Sequence, residues 1–333
     1  MPRLRHLATL ALAAGLALAG AGALFLLLPG RRLSQPARLI VAPGASHATI
    51  ARQLADAGVI RGATAFEVWS ELHVHTTLKA GPYRFPGHQS LTTVFNMLAR
   101  GDLDTVTFTV PEGFNRFDIA NALGERGLAD PGAFLRVTAN PALIRDLDPA
   151  AVSLEGYLFP ATYPITPGTP AANIAAEMVA RFRMEARRDL RGGMPPGGIH
   201  RWVTIASMVE KETGNPAERP VIAGVFDNRL GRGLALQSDP TVIYAELLGG
   251  VYSGALHGGD LAYNSPYNTY RYTGLPPGPI ANPGRASLEA AAHPAKTPYM
   301  YFVSNGHGSH RFARTLAEQE RNIQLYIRAR GGQ

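Results

Sequence analysis

The feature that most constrains this chain is an unbroken apolar run at its start. Leu7 to Leu28 is 22 consecutive residues in which Thr9 is the only clearly polar side chain. As a helix it measures roughly 33 Å, enough to cross a hydrocarbon core of about 30 Å. Arg3 and Arg5 precede it, and Pro29, Arg31 and Arg32 stop it abruptly. With no polar face, it fits a buried helix of a soluble domain poorly. A cleaved signal peptide, with small residues around Ala19 to Ala23, is the other reading. We read residues 1–32 as a cytoplasmic tip and a single transmembrane helix. The basic flanks balance, so orientation rests on the shortness of the leading segment, which favours the N-terminus inside and the bulk exported.

Charge has to be placed before it is interpreted. The 32 Lys and Arg against 25 Asp and Glu give +7, which invites a nucleic-acid reading. Four of those arginines flank the apolar run, and without them the remainder carries only +3. Export past a membrane also argues against reading Arg187, Arg188 and Arg191 as a nucleic-acid face, so no nucleic-acid partner is expected. The absence of cysteine excludes thiol catalysis, disulfides and Cys-ligated metal centres. Gly (36) and Pro (26) make up nearly a fifth of the chain, so many turns are expected.

A repeat appears at an offset of 69 residues: Val41, Gly44, Ile50, Ala51, Leu54 and Gly58 recur as Val110, Gly113, Ile119, Ala120, Leu123 and Gly127. Each copy reads as a strand end, a glycine turn and an amphipathic helix closed by glycine. Helices are further expected over 63–72, behind the Ser90 cap to Leu98, over 172–191, 200–214, 238–248 and 316–328. Residues 79–85 read as a turn entering a strand, strands are expected near 105–110 and 299–303, and a boundary is expected near Thr105. Residues 160–170 read as a long loop, and 263–284 as ordered irregular structure.

The segment 205–213 carries the most chemistry. At 100° per residue from Ile205, Val209 falls at about +40°, Trp202 at about +60°, Met208 at about −60° and Glu212 at about −20°. Glu210 falls near 140°, on the other side. Glu212 thus lies within the apolar stripe, where burial raises a carboxyl's pKa and suits it to general-acid work near neutral pH. A helix-end carboxylate paired to an Arg is the plainer alternative, and Glu210 reads as a surface or network carboxylate. His73 and His75 have strand metal-pair spacing but no third ligand nearby, and 306–310 (GHGSH) reads as a turn; neither metal nor cofactor is expected.

The runs ASMVEKET (206–213), FDNRL (226–230), LQSDPTVIY (236–244), YNTY (267–270), GLPPGPIANPG (274–284) and AAHPAKTPYMYFV (291–303) resemble the YceG/MltG-like family of endolytic murein transglycosylases. LEGYLFPATY (154–163) and the single anchor also fit, with Ala161 where the family commonly has Asp. The resemblance implies an α+β fold in three parts: the anchor over 1–32, a LysM-like α+β module over 33–105, and an α+β catalytic domain with a glycan-binding cleft over 106–333. It places the catalytic role on Glu212, the residue the helical face also selects. The implied reaction is non-hydrolytic cleavage of the β-1,4 bond between N-acetylmuramic acid and N-acetylglucosamine, leaving 1,6-anhydro ends. A non-catalytic wall-binding scaffold and a hydrolytic muramidase are the alternatives.

Asn228, Gln237, Ser238, Asp239 and Asn268 offer polar groups for sugar recognition, and Tyr244, Tyr267 and Tyr270 flat faces for pyranose rings. Asp239 reads equally as a helix N-cap before Pro240, and Glu155 as a cleft carboxylate or a buried structural acid. The implied partners are peptidoglycan glycan strands and wall synthases such as penicillin-binding proteins. The implied location is the bacterial cytoplasmic (inner) membrane, single-pass, with the catalytic domain on the outer side.

Overall fold

The structure, a computed structural model, describes residues 35–87, 89–190, 193–195 and 197–331. The anchor over 1–32 lies outside the described residues. Among those described, no helix is long and apolar enough to cross a membrane. The chain is mixed α+β and divides into two units, residues 1–106 and 107–333.

In the first unit, β1 (Ala37–Val41) pairs antiparallel with β2 (Gly81–Phe85), in a register running from Ala37 opposite Phe85 to Val41 opposite Gly81. Between them lie α1 (His47–Asp56) and α2 (Ala63–Leu72), and α3 (Leu91–Arg100) follows. Ser46 and Ser90 cap α1 and α3 by accepting from the amides of Thr49 and Thr93. Ile50, Leu54, Phe66, Tyr83, Phe85, Val94 and Leu98 close the core. His73 ends α2; its ring lies 4.4 Å from that of Trp69 and its Nδ1 meets the Trp69 carbonyl at 2.8 Å, while His75 is exposed.

The 69-residue repeat is visible in three dimensions. In the second unit, β3 (Val106–Thr109) leads into α4 (Arg116–Glu125), α5 (Pro131–Thr138) and then β4 (Thr162–Ile165), which pairs with β3. Ile119, Ala120 and Leu123 are buried on α4 as Ile50, Ala51 and Leu54 are on α1. Gly113 and Gly127 adopt the positive φ of Gly44 and Gly58, a conformation costly for any residue with a Cβ. The second unit therefore opens with the same strand–helix–helix–strand order as the first.

The strand β4 corrects the expectation of a loop over 160–170. Tyr163 and Ile165 alternate inward, and Pro164 is tolerated because it sits at an exposed position of a two-stranded sheet.

The rest of the second unit is mostly helical. Next come α6 (Ala171–Asp189), α7 (Gly198–Glu212), α8 (Arg219–Gly231), α9 (Asp239–Gly249), α10 (Arg285–Ala292), the hairpin β5 (Tyr301–Ser304) with β6 (His310–Ala313), and α11 (Leu316–Gly331). α7 packs against α8, α9 and α10. Every residue from Trp202 to Val209 is buried, so α7 is a central helix with no solvent face over that stretch.

Candidate active site

Glu212 is the last residue of α7, where the helix leaves the core. Long-range bonds fix that helix. The Trp202 indole donates to the Leu288 carbonyl at 2.7 Å, and Ser207 Oγ accepts from the Ile280 amide at 3.1 Å. Beyond Glu212 the chain turns extended at Thr213, whose hydroxyl donates to Glu218 Oε2 at 3.2 Å. Glu218 also accepts from the His310 amide at 2.9 Å and faces His310 Nδ1 at 2.7 Å. The catalytic candidate is thus held from both sides of the chain.

Opposite Glu212 stands the start of α9. Gln237 has φ +54°, and it is the one non-glycine residue with positive φ among those described. Its amide donates to the Thr269 carbonyl at 3.1 Å, and its Oε1 accepts from Arg229 Nη2 at 2.6 Å. This kink turns the chain so that the Ser238 amide donates to Thr269 Oγ1 at 3.1 Å and the Ser238 hydroxyl donates to Glu212 Oε1 at 2.5 Å. Ser238, not Asp239, occupies the N-cap position of α9, and its hydroxyl serves Glu212 instead of the helix end. Asp239 lies in the first turn, exposed, and its Oδ1 accepts from the Tyr270 hydroxyl at 2.5 Å.

Burial pushes the Glu212 carboxyl up to about 7, with the Ser238 hydrogen bond acting against that rise and the Asp239 charge adding to it. Glu212 nevertheless keeps part of its surface open to solvent. It is therefore a carboxyl that holds a proton near neutrality and can still reach a ligand.

The other candidates are placed differently. Glu155 is fully buried, where its carboxyl accepts from the Arg116 amide at 3.0 Å and from Asn282 Nδ2 at 2.9 Å, and is bonded to the Tyr244 hydroxyl. Burial pushes it, too, to about 7. The Tyr244 ring is buried against Phe117 and Tyr267. Asn268 is fully buried and donates to the carbonyls of Leu261 at 3.0 Å and Tyr263 at 2.8 Å, folding its own loop. Asn228 donates to the carbonyls of Thr297 and Tyr299 at 2.8 and 2.9 Å, tying down the segment before β5. Gln237, Ser238, Asp239 and Tyr270 are brought together with Glu212; Asn228, Asn268, Tyr244 and Glu155 are engaged in holding the scaffold.

Two residues escaped the sequence reading. Thr269 binds both Gln237 and Ser238, and Arg229, buried, holds Gln237 together with the carbonyls of Ala235 and Met300. Both lie inside the quoted motifs, but a single sequence does not separate a buried arginine from a surface one. Of the two readings of Glu210, surface or network carboxylate, the structure shows the network one. The Glu210 side chain is almost wholly covered, accepting from the Gly284 amide at 2.9 Å and lying 3.5 Å from Arg219. Among the described residues no group of three His, Asp or Glu side chains is set to hold a metal ion.

The site is thus an α+β unit with a raised-pKa carboxyl at a helix end, facing a hydroxyl and an exposed carboxylate. The YceG-like family model matches residues 39–325. The endolytic murein transglycosylase of Bacillus subtilis (strain 168) is 33 % identical over 307 residues, covering 85 % of this chain and 83 % of that protein. That of Streptococcus pneumoniae (strain R6) is 30 % identical over 319 residues, and the match spans 58 % of its length. The crystal structure of a yceG-like protein from Listeria monocytogenes superposes with a TM-score of 0.57 at 31 % identity, covering 86 % of this chain and 99 % of that one. The chain belongs to the YceG-like family.

Proposed function

We propose that this chain is an endolytic lytic transglycosylase of murein in which Glu212 is first acid and then base. The observation that carries the assignment of the residue is the half-buried Glu212 carboxyl, held by Ser238 and protonated near neutrality. Glu212 gives its proton to the glycosidic oxygen between N-acetylmuramic acid and N-acetylglucosamine as the C1–O bond breaks. The C6 hydroxyl of the same muramic acid then bonds to C1 and returns its proton to Glu212. No water is consumed, and the intramolecular nucleophile supplies proximity. Two-carboxylate glycosidases, by contrast, need a second group to activate water or attack carbon.

The strand–helix–helix–strand unit over 33–105 is read as LysM-like and holds glycan, and 106–333 as the cleaving domain. In the same reading, residues 1–32 anchor the chain in the cytoplasmic membrane with the cleaving domain outside, beside the wall synthases. The test is product analysis by mass spectrometry on purified peptidoglycan. The reading expects 1,6-anhydro-muramic ends, and Glu212→Gln should reduce cleavage by about 10²-fold or more. Reducing ends would mark a hydrolase, absence of cleavage by the unaltered protein a scaffold. Full activity in the Gln variant would remove Glu212 from the chemistry.

A further inference from the structure

The cleavage site holds a second carboxyl in an environment opposite to that of Glu212. Glu212 sits at the C-terminal end of α7, the negative end of that helix's dipole, in partly buried surroundings. Asp239 sits in the first turn of α9, at the positive end of its dipole, exposed, and with the Tyr270 hydroxyl donating to its Oδ1 at 2.5 Å. Burial and helix position favour a neutral Glu212, the Asp239 charge acts in the same direction, and the Ser238 hydrogen bond acts against them. The two are one residue apart along the hydrogen-bonded path, because Ser238 joins Glu212 directly and precedes Asp239.

The platform is rigid. The Tyr270 amide donates to Asn268 Oδ1 at 2.9 Å, the Ser238 amide to Thr269 Oγ1 at 3.1 Å, and Arg229 holds Gln237 at 2.6 Å. Asp239 and Tyr270 are the charged and titratable groups that act on Glu212 from this platform, while Arg229 acts in turn on Tyr270.

We propose that Asp239, fixed by Tyr270, is a second group of the site, whose negative charge opposes loss of the Glu212 proton until the leaving oxygen takes it and stabilises positive charge developing at the anomeric carbon. It donates no proton and forms no bond to the sugar. The proposal rests on Glu212 being the acid.

Asp239→Asn is the informative variant. Its side-chain oxygen still accepts from Tyr270, so the geometry is kept while the charge is removed. The alkaline limb of the kcat–pH profile should move to lower pH, with kcat down about 10²-fold and KM changed much less. Asp239→Glu, which restores the charge, should recover a large part of kcat. The proton on Glu212 can also be followed without turnover, by carboxyl NMR titration assigned through Glu212→Gln. That titration should shift to lower pH in Asp239→Asn. An unshifted titration in a folded Asp239→Asn protein overturns the proposal, even if Glu212→Gln is inactive and the cleavage reading stands. Full activity of Glu212→Gln would instead overturn the parent reading.

Discussion

At the scale of single residues, Glu212 depends on two neighbours that act with opposite sign. Ser238 donates to its carboxylate and so favours ionisation, whereas Asp239 opposes it. Ser238→Ala should therefore raise the pH at which the acid is lost, by up to about one unit, while Asp239→Asn lowers it. Paired pH–rate profiles of the two variants check this; shifts of the same sign would mean that the hydroxyl is not bonded to the ionised form. The face of α7 that carries Glu212 was legible in the sequence, because a 3.6-residue period reports which side chains of one helix lie together. The period does not report what packs on the opposite face. Glu210 was for that reason read without its partners, Gly284 and Arg219, and the Ser238 contact, 26 residues away, had no local signal.

At the scale of elements, the site is assembled by helices locked at close range. The Gly224 position on α8 is the tightest of these contacts on backbone: an added Cβ would stand 2.2 Å from the Ala295 carbonyl oxygen. That oxygen belongs to a segment held by the Ala295 amide on the Pro220 carbonyl at 2.9 Å, so it is not free to yield. Gly224→Ala should cost about 1–3 kcal/mol in folding stability, measured by urea unfolding, and should loosen Arg229 and through it Gln237. Stability equal to the unaltered protein would show that the 295–299 segment moves. The sequence marks the central helix within two residues at each end, expected over 200–214 and found over 198–212. It also marks both copies of the repeat, since buried apolar spacing and glycine turns are local properties. It fails at β4, whose pairing with β3 lies 53 residues away at Thr109 and Thr162 and whose Pro164 reads as a loop signal.

At the scale of the whole molecule, the second unit stores protons in its folded state, and this sets how its stability varies with pH. Glu155 is raised from 4.5 to about 7 by burial, although the Arg116 amide and the Tyr244 hydroxyl act against the rise. Its favourable contribution is complete below about 4.5 and is lost as pH climbs through about 7, because the folded state then has to bury a charge. His200 adds to the same trend at higher pH. Its Nδ1 faces Asp148 Oδ2 at 2.8 Å and its Nε2 faces the Pro277 carbonyl at 3.0 Å, so only the doubly protonated ring donates to both. The Asp148 hydrogen bond lifts His200 above 6.5, and that contribution disappears as pH rises through the lifted value. Asp148 and Glu218 titrate the other way, each lowered by its His partner against the effect of burial. Their contributions are lost only as pH falls below the ordinary carboxylate range, outside the window set by Glu155. Stability should therefore decline from about pH 4.5 upward, with Glu155 adding a slope of up to about 1.4 kcal/mol per pH unit. Glu155→Gln mimics the protonated acid, since its amide can donate to Tyr244 while its oxygen accepts from Arg116. Chemical unfolding of this variant between pH 4.5 and 7 should show a visibly flatter curve than the unaltered protein. A slope unchanged by the substitution would mean that Glu155 is ionised in the fold, and that the donors around it outweigh its burial.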